Sequence, residues 1–360
     1  MKIHHILLAG AVMLSACNES EPEKKVGNSA DIDYTADNAA AWGNYMSQVS
    51  ALLRNDAATL YDAWTADGYS EQFMSLAPMD CVEQMIDGCA DIANEVGTAK
   101  IGDPFNLYMS GDTKRALYAV ESWYSWHSRE DYANNILSIR NSYCGSLDGS
   151  VAPASLSALV DPEVNADVLA AIKAAEHAIL AIPQPFRSNI NSSETRAAMT
   201  ACADLEEILS GELKSAARKL TESELRAVAR NFVDEVVLPT YSELKTRNAA
   251  LHQSVVDFKN APSDKAFADA CTAWLEAREP WEKSEAFLFG PVDALGLDPN
   301  MDSWPLDQDA IVQILTSGNY DDLNWTDGDD DDRIEAVQSV RGFHTLEFLL
   351  FKDGKARTIK

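Results

Sequence analysis

Positive charge is scarce in this 360-residue chain: 29 lysines and arginines stand against 57 aspartates and glutamates, a formal net charge of −28. Nucleic acid and anionic lipid headgroups are therefore excluded as partners, because most of the surface would repel them. Cations are the ligands this balance favours, although an acidic surface also serves simply to keep an exported protein in solution. Histidine is sparse as well. Beyond His4 and His5 there are only His127, His177, His252 and His344, so imidazole chemistry is limited to four positions. No CxxC or closely spaced Cys/His set is present, which argues against a structural zinc site. The zinc-peptidase patterns HExxH and HxxEH, the serine-hydrolase pattern GxSxG and paired Glu-x-x-His repeats of a di-iron centre are missing too. Thr326 to Asp332 has the composition of a calcium loop but lacks its alternating ligands and terminal glutamate, and reads as a solvated acidic loop.

Long apolar runs are also absent. The N-terminal stretch Ile6 to Met13 is about half of the ~20 residues a membrane span requires. It follows Lys2 and runs into Leu14-Ser15-Ala16-Cys17, which predicts a lipoprotein signal peptide over residues 1–17 with lipid attached at Cys17. Residues 18–34 read as a disordered tether. The soluble body is thus expected outside the inner membrane, anchored through Cys17, as a cell-envelope lipoprotein of the outer membrane facing either the periplasm or the cell surface. Five cysteines then remain, an odd number, so no disulfide framework is implied. Cys81 and Cys89 on one continuous helix would lie about 12 Å apart, too far to bridge.

What the chain has in abundance is apolar residues at three- and four-residue spacing. Val168, Leu169, Ile172, Ala175, Ile179 and Leu180 form one such stripe, and Ala201, Leu205, Ile208, Leu209 and Leu213 the next. Few alternating β-branched runs compete with them, so an all-α protein is expected. Ser192-Ser193-Glu194-Thr195 and Thr221-Glu222-Ser223-Glu224 read as helix starts, and Pro183-Gln184-Pro185 as a break. Length favours two domains. Two tandem bundles resembling four-helix bundles are expected over residues 35–221 and 222–360.

Two segments carry candidate chemistry. In Gly342-Phe343-His344-Thr345-Leu346-Glu347 an imidazole and a carboxylate stand three apart in an apolar run; on a helix they share one face. Such a pair must be partnered or bound to something, because burying it alone costs several kcal/mol. The other segment, Glu121 to Asp131, interleaves acids and hydroxyls with aromatics. Read as a helix, it aligns Glu121, Ser125 and Ser128, with Ser122 adjacent and Asp131 further along, as a polar cleft lining.

These residues resemble the imelysin-like family, marked by a GxHxxE motif matched by Gly342, His344 and Glu347. Val237-Leu238-Pro239-Thr240-Tyr241, Trp274, Arg278, Trp281, Glu285-Ala286-Phe287, Phe289-Gly290-Pro291 and Ser303-Trp304-Pro305-Leu306-Asp307 are similar to the family's opening half. Val120 to Ser125, Asp131, Asn141 to Gly145 and Ile182 to Phe186 are similar to its closing half. The halves stand in swapped order, which implies a circularly permuted imelysin-like topology. The resemblance covers about residues 35 to 355. It implies two four-helix bundles with the functional site between them, His344 and Glu347 facing Glu121, Ser122, Ser125 and Asp131. Ser122 stands where the family commonly has histidine, a departure that removes one expected ligand.

The function implied is binding of iron, another divalent cation, or an iron-bearing ligand in the interdomain cleft as part of iron uptake. His344 and Glu347 are the expected metal ligands. Glu121, Ser122, Ser125, Asp131, Arg278, Glu285 and Trp304 are the expected binding residues, and outer-membrane uptake components the implied protein partners. One alternative is a zinc-dependent metallopeptidase with Glu347 as catalytic base. Another is a polysaccharide- or partner-binding lipoprotein with Trp123, Tyr124, Trp126 and Trp304 as stacking surfaces. The anchor predicts that the chain fractionates with membranes, and that Cys17→Ser moves it to the soluble fraction on ultracentrifugation.

Overall fold

The structure is a computed structural model that describes residues 32–326 and 328–360. The expected signal peptide, Cys17 and nearly all of the expected tether lie outside the described residues. The expectation of an all-α fold holds: the described strands are Phe351–Lys352 and Lys355–Ala356, two short arms of one antiparallel hairpin. No helix among the described residues is long and apolar enough to cross a membrane.

The principal helices are α1 (Ala39–Trp64), α2 (Pro78–Glu95), α3 (Gly102–Met109), α4 (Ser128–Cys144), α5 (Pro162–Ala181), α6 (Ser193–Ile208), α7 (Glu222–Phe232), α8 (Leu238–Asn260), α9 (Asp264–Glu282), α10 (Leu297–Asp302) and α11 (Gly342–Leu350). The expected starts are present. Ser192 accepts the Thr195 amide, and Thr221 forms a reciprocal capping box with Glu224, which satisfies amides that the first helical turn leaves free. α5 ends at Ala181, before the Pro183-Gln184-Pro185 break.

Two four-helix groups result. α1, α8, α9 and α11 pack together, and α2, α4, α5 and α6 form the second group, with α7 laid on α2. The groups meet where α4 touches α9 and where the turn Glu285–Phe287 sits on α2. This packing does not coincide with the division expected at 221/222. α1 precedes that boundary yet lies along α8, because its stripe of Trp42, Tyr45, Met46, Val49, Leu53 and Leu60 fits the Tyr241, Leu244, Leu251 and Val255 face of α8. α7 follows the boundary and packs the other way. Order along the chain is a weak guide to which apolar faces find each other. The described ends also meet: Arg357 Nη1 donates to the Ile32 carbonyl at 2.8 Å and Lys352 Nζ to Asp33 at 3.0 Å. Adjacent ends are the condition under which a permuted connection costs little.

α11 is buried along its whole length, and three side chains from outside hold the carbonyls of its segment. Tyr45 Oη donates to Val340 at 2.7 Å, Trp42 Nε1 to Leu349 at 3.1 Å and Trp274 Nε1 to Phe343 at 2.9 Å. The helix opens at Gly342, whose φ is +84°. A Cβ there would lie 2.5 Å from the Met301 carbonyl oxygen, so glycine lets the start of α11 close against the end of α10. That approach brings Asp302 to His344. Gly342→Ala is expected to destabilise the fold by about 2 kcal/mol or more, the left-handed backbone alone costing ~1–2 kcal/mol, read as a lowered midpoint in thermal unfolding followed by circular dichroism.

Candidate functional site

α11 places His344 and Glu347 on one face, as their spacing predicts. The imidazole Nδ1 lies 2.9 Å from Glu347 Oε2, and both side chains are fully buried. The other carboxylate oxygen of Glu347 accepts three hydrogen bonds from the opposite bundle: from the Tyr124 amide at 3.0 Å, the Ser125 amide at 2.8 Å and Ser125 Oγ at 2.7 Å. Glu347 is thereby committed on both oxygens. It fixes the imidazole through Nδ1, which leaves His344 Nε2 turned towards Glu121 and Asp302.

Those amides correct the expectation of a helix over Glu121 to Asp131. Only Ser128 onward is helical. Ser122 and Trp126 have φ of +50° and +63°, a region that costs bulky residues energy and persists only where the surroundings impose it. Here the backbone donors of Tyr124 and Ser125 are spent on a buried carboxylate rather than on helical carbonyls. Polar spacing alone gave no sign of that.

The loop nevertheless delivers Glu121 to the site. Its Oε1 is 3.4 Å from His344 Nε2 and 2.5 Å from Arg278 Nη2, while Oε2 takes the Lys100 ammonium at 3.1 Å. Asp302, at the end of α10, lies 3.1 Å from His344 Nε2, accepts from Trp281 Nε1 at 2.6 Å and pairs with Arg278 Nη1. Arg278 on α9 is fully buried, and its guanidinium also reaches Glu282 at 2.6 Å, Asp131 at 3.5 Å and His344 Nε2 at 3.3 Å. Glu121, Asp302 and His344 each offer one donor atom within 4.8 Å of the others, a mixed oxygen and nitrogen set suited to a hard or borderline cation.

The remaining expected residues take different places. Ser122 Oγ donates to Asp131, so both stand behind Arg278. Glu285 lines the cleft 3.7 Å from Lys100. Trp304 meets the His344 ring edge-on at 4.9 Å and donates to the Ala119 carbonyl. Trp123 and Trp126 flank the Arg187 guanidinium at 3.8 and 5.6 Å, and Tyr124 packs against Phe348 at 5.1 Å, so these aromatics serve internal contacts. His127 lies 3.8 Å from Asp131; His252 pairs with Ser50, away from the site. The five described cysteines are free and buried. Asp302, Lys100 and Glu282 were not singled out from sequence. None belongs to a recognisable spacing, and Asp302 directly precedes the Ser303-Trp304-Pro305 stretch without standing apart from the many other acids.

The cluster opens on a cleft of about 710 Å³ whose lining includes Glu95, Asp103, Glu121, Glu285, Asp298 and Asp302 against only Lys100 and Arg115 as cations. Glu121 and Asp302 of the cluster line this acidic cleft, and His344 lies buried behind them. With this geometry in place, comparison with known proteins is decisive: the imelysin family profile matches residues 22–211 and 237–360. The chain belongs to the imelysin family. The chain is similar to an imelysin peptidase from Bacteroides ovatus whose crystal structure aligns with a TM-score of 0.89 at 54% identity, covering 92% of this chain and 99% of that one. It is also 33% identical over 122 residues to iron-regulated protein A of Synechococcus elongatus, a match spanning 34% of this chain and 30% of that protein.

Five buried carboxyls, Glu121, Asp131, Glu282, Glu285 and Glu347, and the half-buried Asp302 face three basic groups, Lys100, Arg278 and His344. The acids cannot all ionise. Burial pushes Asp131 up to about 7 and Glu282 up to about 8, outweighing the pull of Arg278, and raises Glu285 well above the usual carboxylate range despite Lys100. Glu121 goes the other way: Lys100, His344 and Arg278 overcome burial and hold it well below the usual carboxylate range. Arg278 and His344 likewise overcome burial at Asp302 and lower it. Burial and Arg278 oppose the His344 cation, yet its bonds to Asp302, Glu121 and Glu347 raise it well above 6.5. Asp131 and Glu282 bind protons in the folded chain that the unfolded chain has already released, so stability falls as pH rises through their folded values. The His344 contribution is full below about pH 6.5 and is lost as pH climbs through its raised value. Glu121 and Asp302 contribute above about pH 4.5 and lose that contribution as pH falls towards their depressed values. Without added metal, the melting temperature is therefore expected to peak near pH 5 and to decline towards pH 8, with Glu282→Gln flattening the decline in a calorimetric pH series.

Proposed function

We propose that this imelysin-family protein is an envelope-anchored receptor that captures iron, or a small iron-bearing ligand, in the acidic cleft between its bundles, as part of iron uptake. The observation that carries this reading is the convergence of the Glu121, Asp302 and His344 donor atoms beside the acidic cleft that Glu121 and Asp302 line, among carboxyls whose protons burial favours. A divalent or trivalent cation arriving there replaces protons with a stronger counter-charge, and binding therefore releases protons and strengthens as pH rises. Glu347 acts one step back, fixing the tautomer and direction of His344 as outer carboxylates do for metal-bound imidazoles. The similarity to an iron-regulated protein supports iron as the cargo, and the Cys17 lipid would hold the protein at the envelope near outer-membrane uptake components.

A metallopeptidase is the second reading, favoured by the name of the Bacteroides ovatus relative. In this arrangement zinc would be held by His344, Glu121 and Asp302, but Glu347 has both oxygens engaged and is poorly placed to activate water. Calorimetric titration of the mature chain with ferrous iron under anaerobic conditions distinguishes the two. Binding by the parent chain, weakened at least about tenfold by His344→Ala or Asp302→Asn and by about 10–100-fold in Glu347→Gln, is the expected result. Equal heats from parent and His344→Ala would remove the site, and zinc-dependent cleavage of unfolded casein, lost in Glu347→Gln, would favour the peptidase.

A further inference from the structure

The three donors that converge beside the cleft already hold a cation: the side chain of Arg278. Its Nη2 is 2.5 Å from Glu121 Oε1 and 3.3 Å from His344 Nε2, and its Nη1 pairs with Asp302. These are the same three residues whose donor atoms converge within 4.8 Å. A guanidinium presents only donors, so it uses the very oxygen lone pairs that a metal would take. An ion cannot be bound by Glu121 and Asp302 while both carboxylates remain paired with the two terminal nitrogens of Arg278.

Resting on the reading of this site as a cation receptor, we infer that Arg278 is its selectivity plug: the guanidinium occupies the cation seat and must shift towards Glu282 and Asp131 before a metal can enter. The alternative berth is already built. Glu282 lies 2.6 Å from Nη2, Asp131 lies 3.5 Å from Nε, and Asp131 Oδ1 is buried with no hydrogen-bond partner. Arg278 therefore keeps two buried acids within reach after it leaves Glu121 and Asp302, and each becomes its counter-charge on releasing the proton that burial favours. Monovalent cations and organic ammonium groups have no more charge than the guanidinium they would displace and make no bond to His344 Nε2. Ions of higher charge that accept both carboxylate and imidazole ligands do both. The plug thus restricts a strongly acidic cleft, which would otherwise collect any cation, to divalent and trivalent metals.

The test is cobalt(II) titration of the full mature chain, read by visible absorption, which reports inner-sphere ligands, alongside Arg278→Lys and Arg278→Gln. Lysine keeps the charge but has a single ammonium in place of the two-pronged fork, so it cannot close both Glu121 and Asp302. Arg278→Lys is expected to bind cobalt roughly tenfold more tightly or better, the scale of one lost charge-assisted pair, with the spectral band abolished by a further His344→Ala change. Competition by 100-fold excess potassium or methylammonium is expected to be negligible in the parent and measurable in Arg278→Gln. If Arg278→Gln fails to fold, Arg278→Lys alone decides. Cobalt binding by the parent with unchanged or weaker binding by Arg278→Lys would overturn the plug and leave the receptor reading standing. Absence of binding in the parent but binding in Arg278→Lys supports the plug in its strongest form, and absence in both removes the receptor reading and the plug together.

Discussion

A guanidinium with no access to water has to be answered by acids, and in this protein the answer joins the two bundles. Arg278 comes from α9 of one bundle, while Glu121 and Asp131 belong to the polar loop and the α4 helix of the other. Removing one partner from such a buried pair typically costs ~3–5 kcal/mol because the remaining charge is stranded. The interface is therefore specified by charge geometry as much as by apolar fit. The second tie is the Glu347 carboxylate, which reaches across the same junction to two backbone amides and a hydroxyl. Both ties converge on His344, so the residues that dock the bundles also shape the site.

That shared duty explains why so much ionisable material is buried in one place. A purely structural junction would be served as well or better by apolar residues, since burying ions costs more desolvation than it usually returns. The excess of carboxyls over bases, and the placement of that excess beneath an acidic cleft, is a cost to stability with a direction: it favours whatever brings positive charge. Perturbed acids gathered in a cleft around one imidazole are the pattern expected of a functional site. The strained backbone at Ser122 and Trp126 belongs to the same economy of structure, holding the amides of Tyr124 and Ser125 towards Glu347 at the expense of a regular helix.

Helix periodicity, the capped starts at Ser192 and Thr221 and the shared face of His344 and Glu347 were all legible in the sequence, because each depends on residues within a few positions of one another. The resemblance to imelysin-like proteins brought the Glu121 segment and the His344 segment together in advance, and the structure places them in contact. The conformation of Glu121 to His127 was not legible. Its amphipathic look is satisfied by a loop whose donors bond to a residue more than 200 positions away. Arg278 was singled out in the sequence as a binding residue but not as the centre of the network, and Asp302 was hidden among many acids because its proximity to His344 depends on the closure of α10 onto Gly342.

By itself, the sequence determined the helical class, the acidic character, the lack of a zinc-finger or hydrolase pattern, and the pairing of one imidazole with one carboxylate on a single helical turn. Tertiary structure alone decided that α1 joins the bundle of α8, that Glu347 turns to the loop and orients His344, and that Glu121, Asp302 and Arg278 gather at Nε2. The physical reason is range. Propensity, capping and periodicity act over one to four residues, whereas the free energy of a buried charge depends on every group within a few ångströms, whichever part of the chain supplied it.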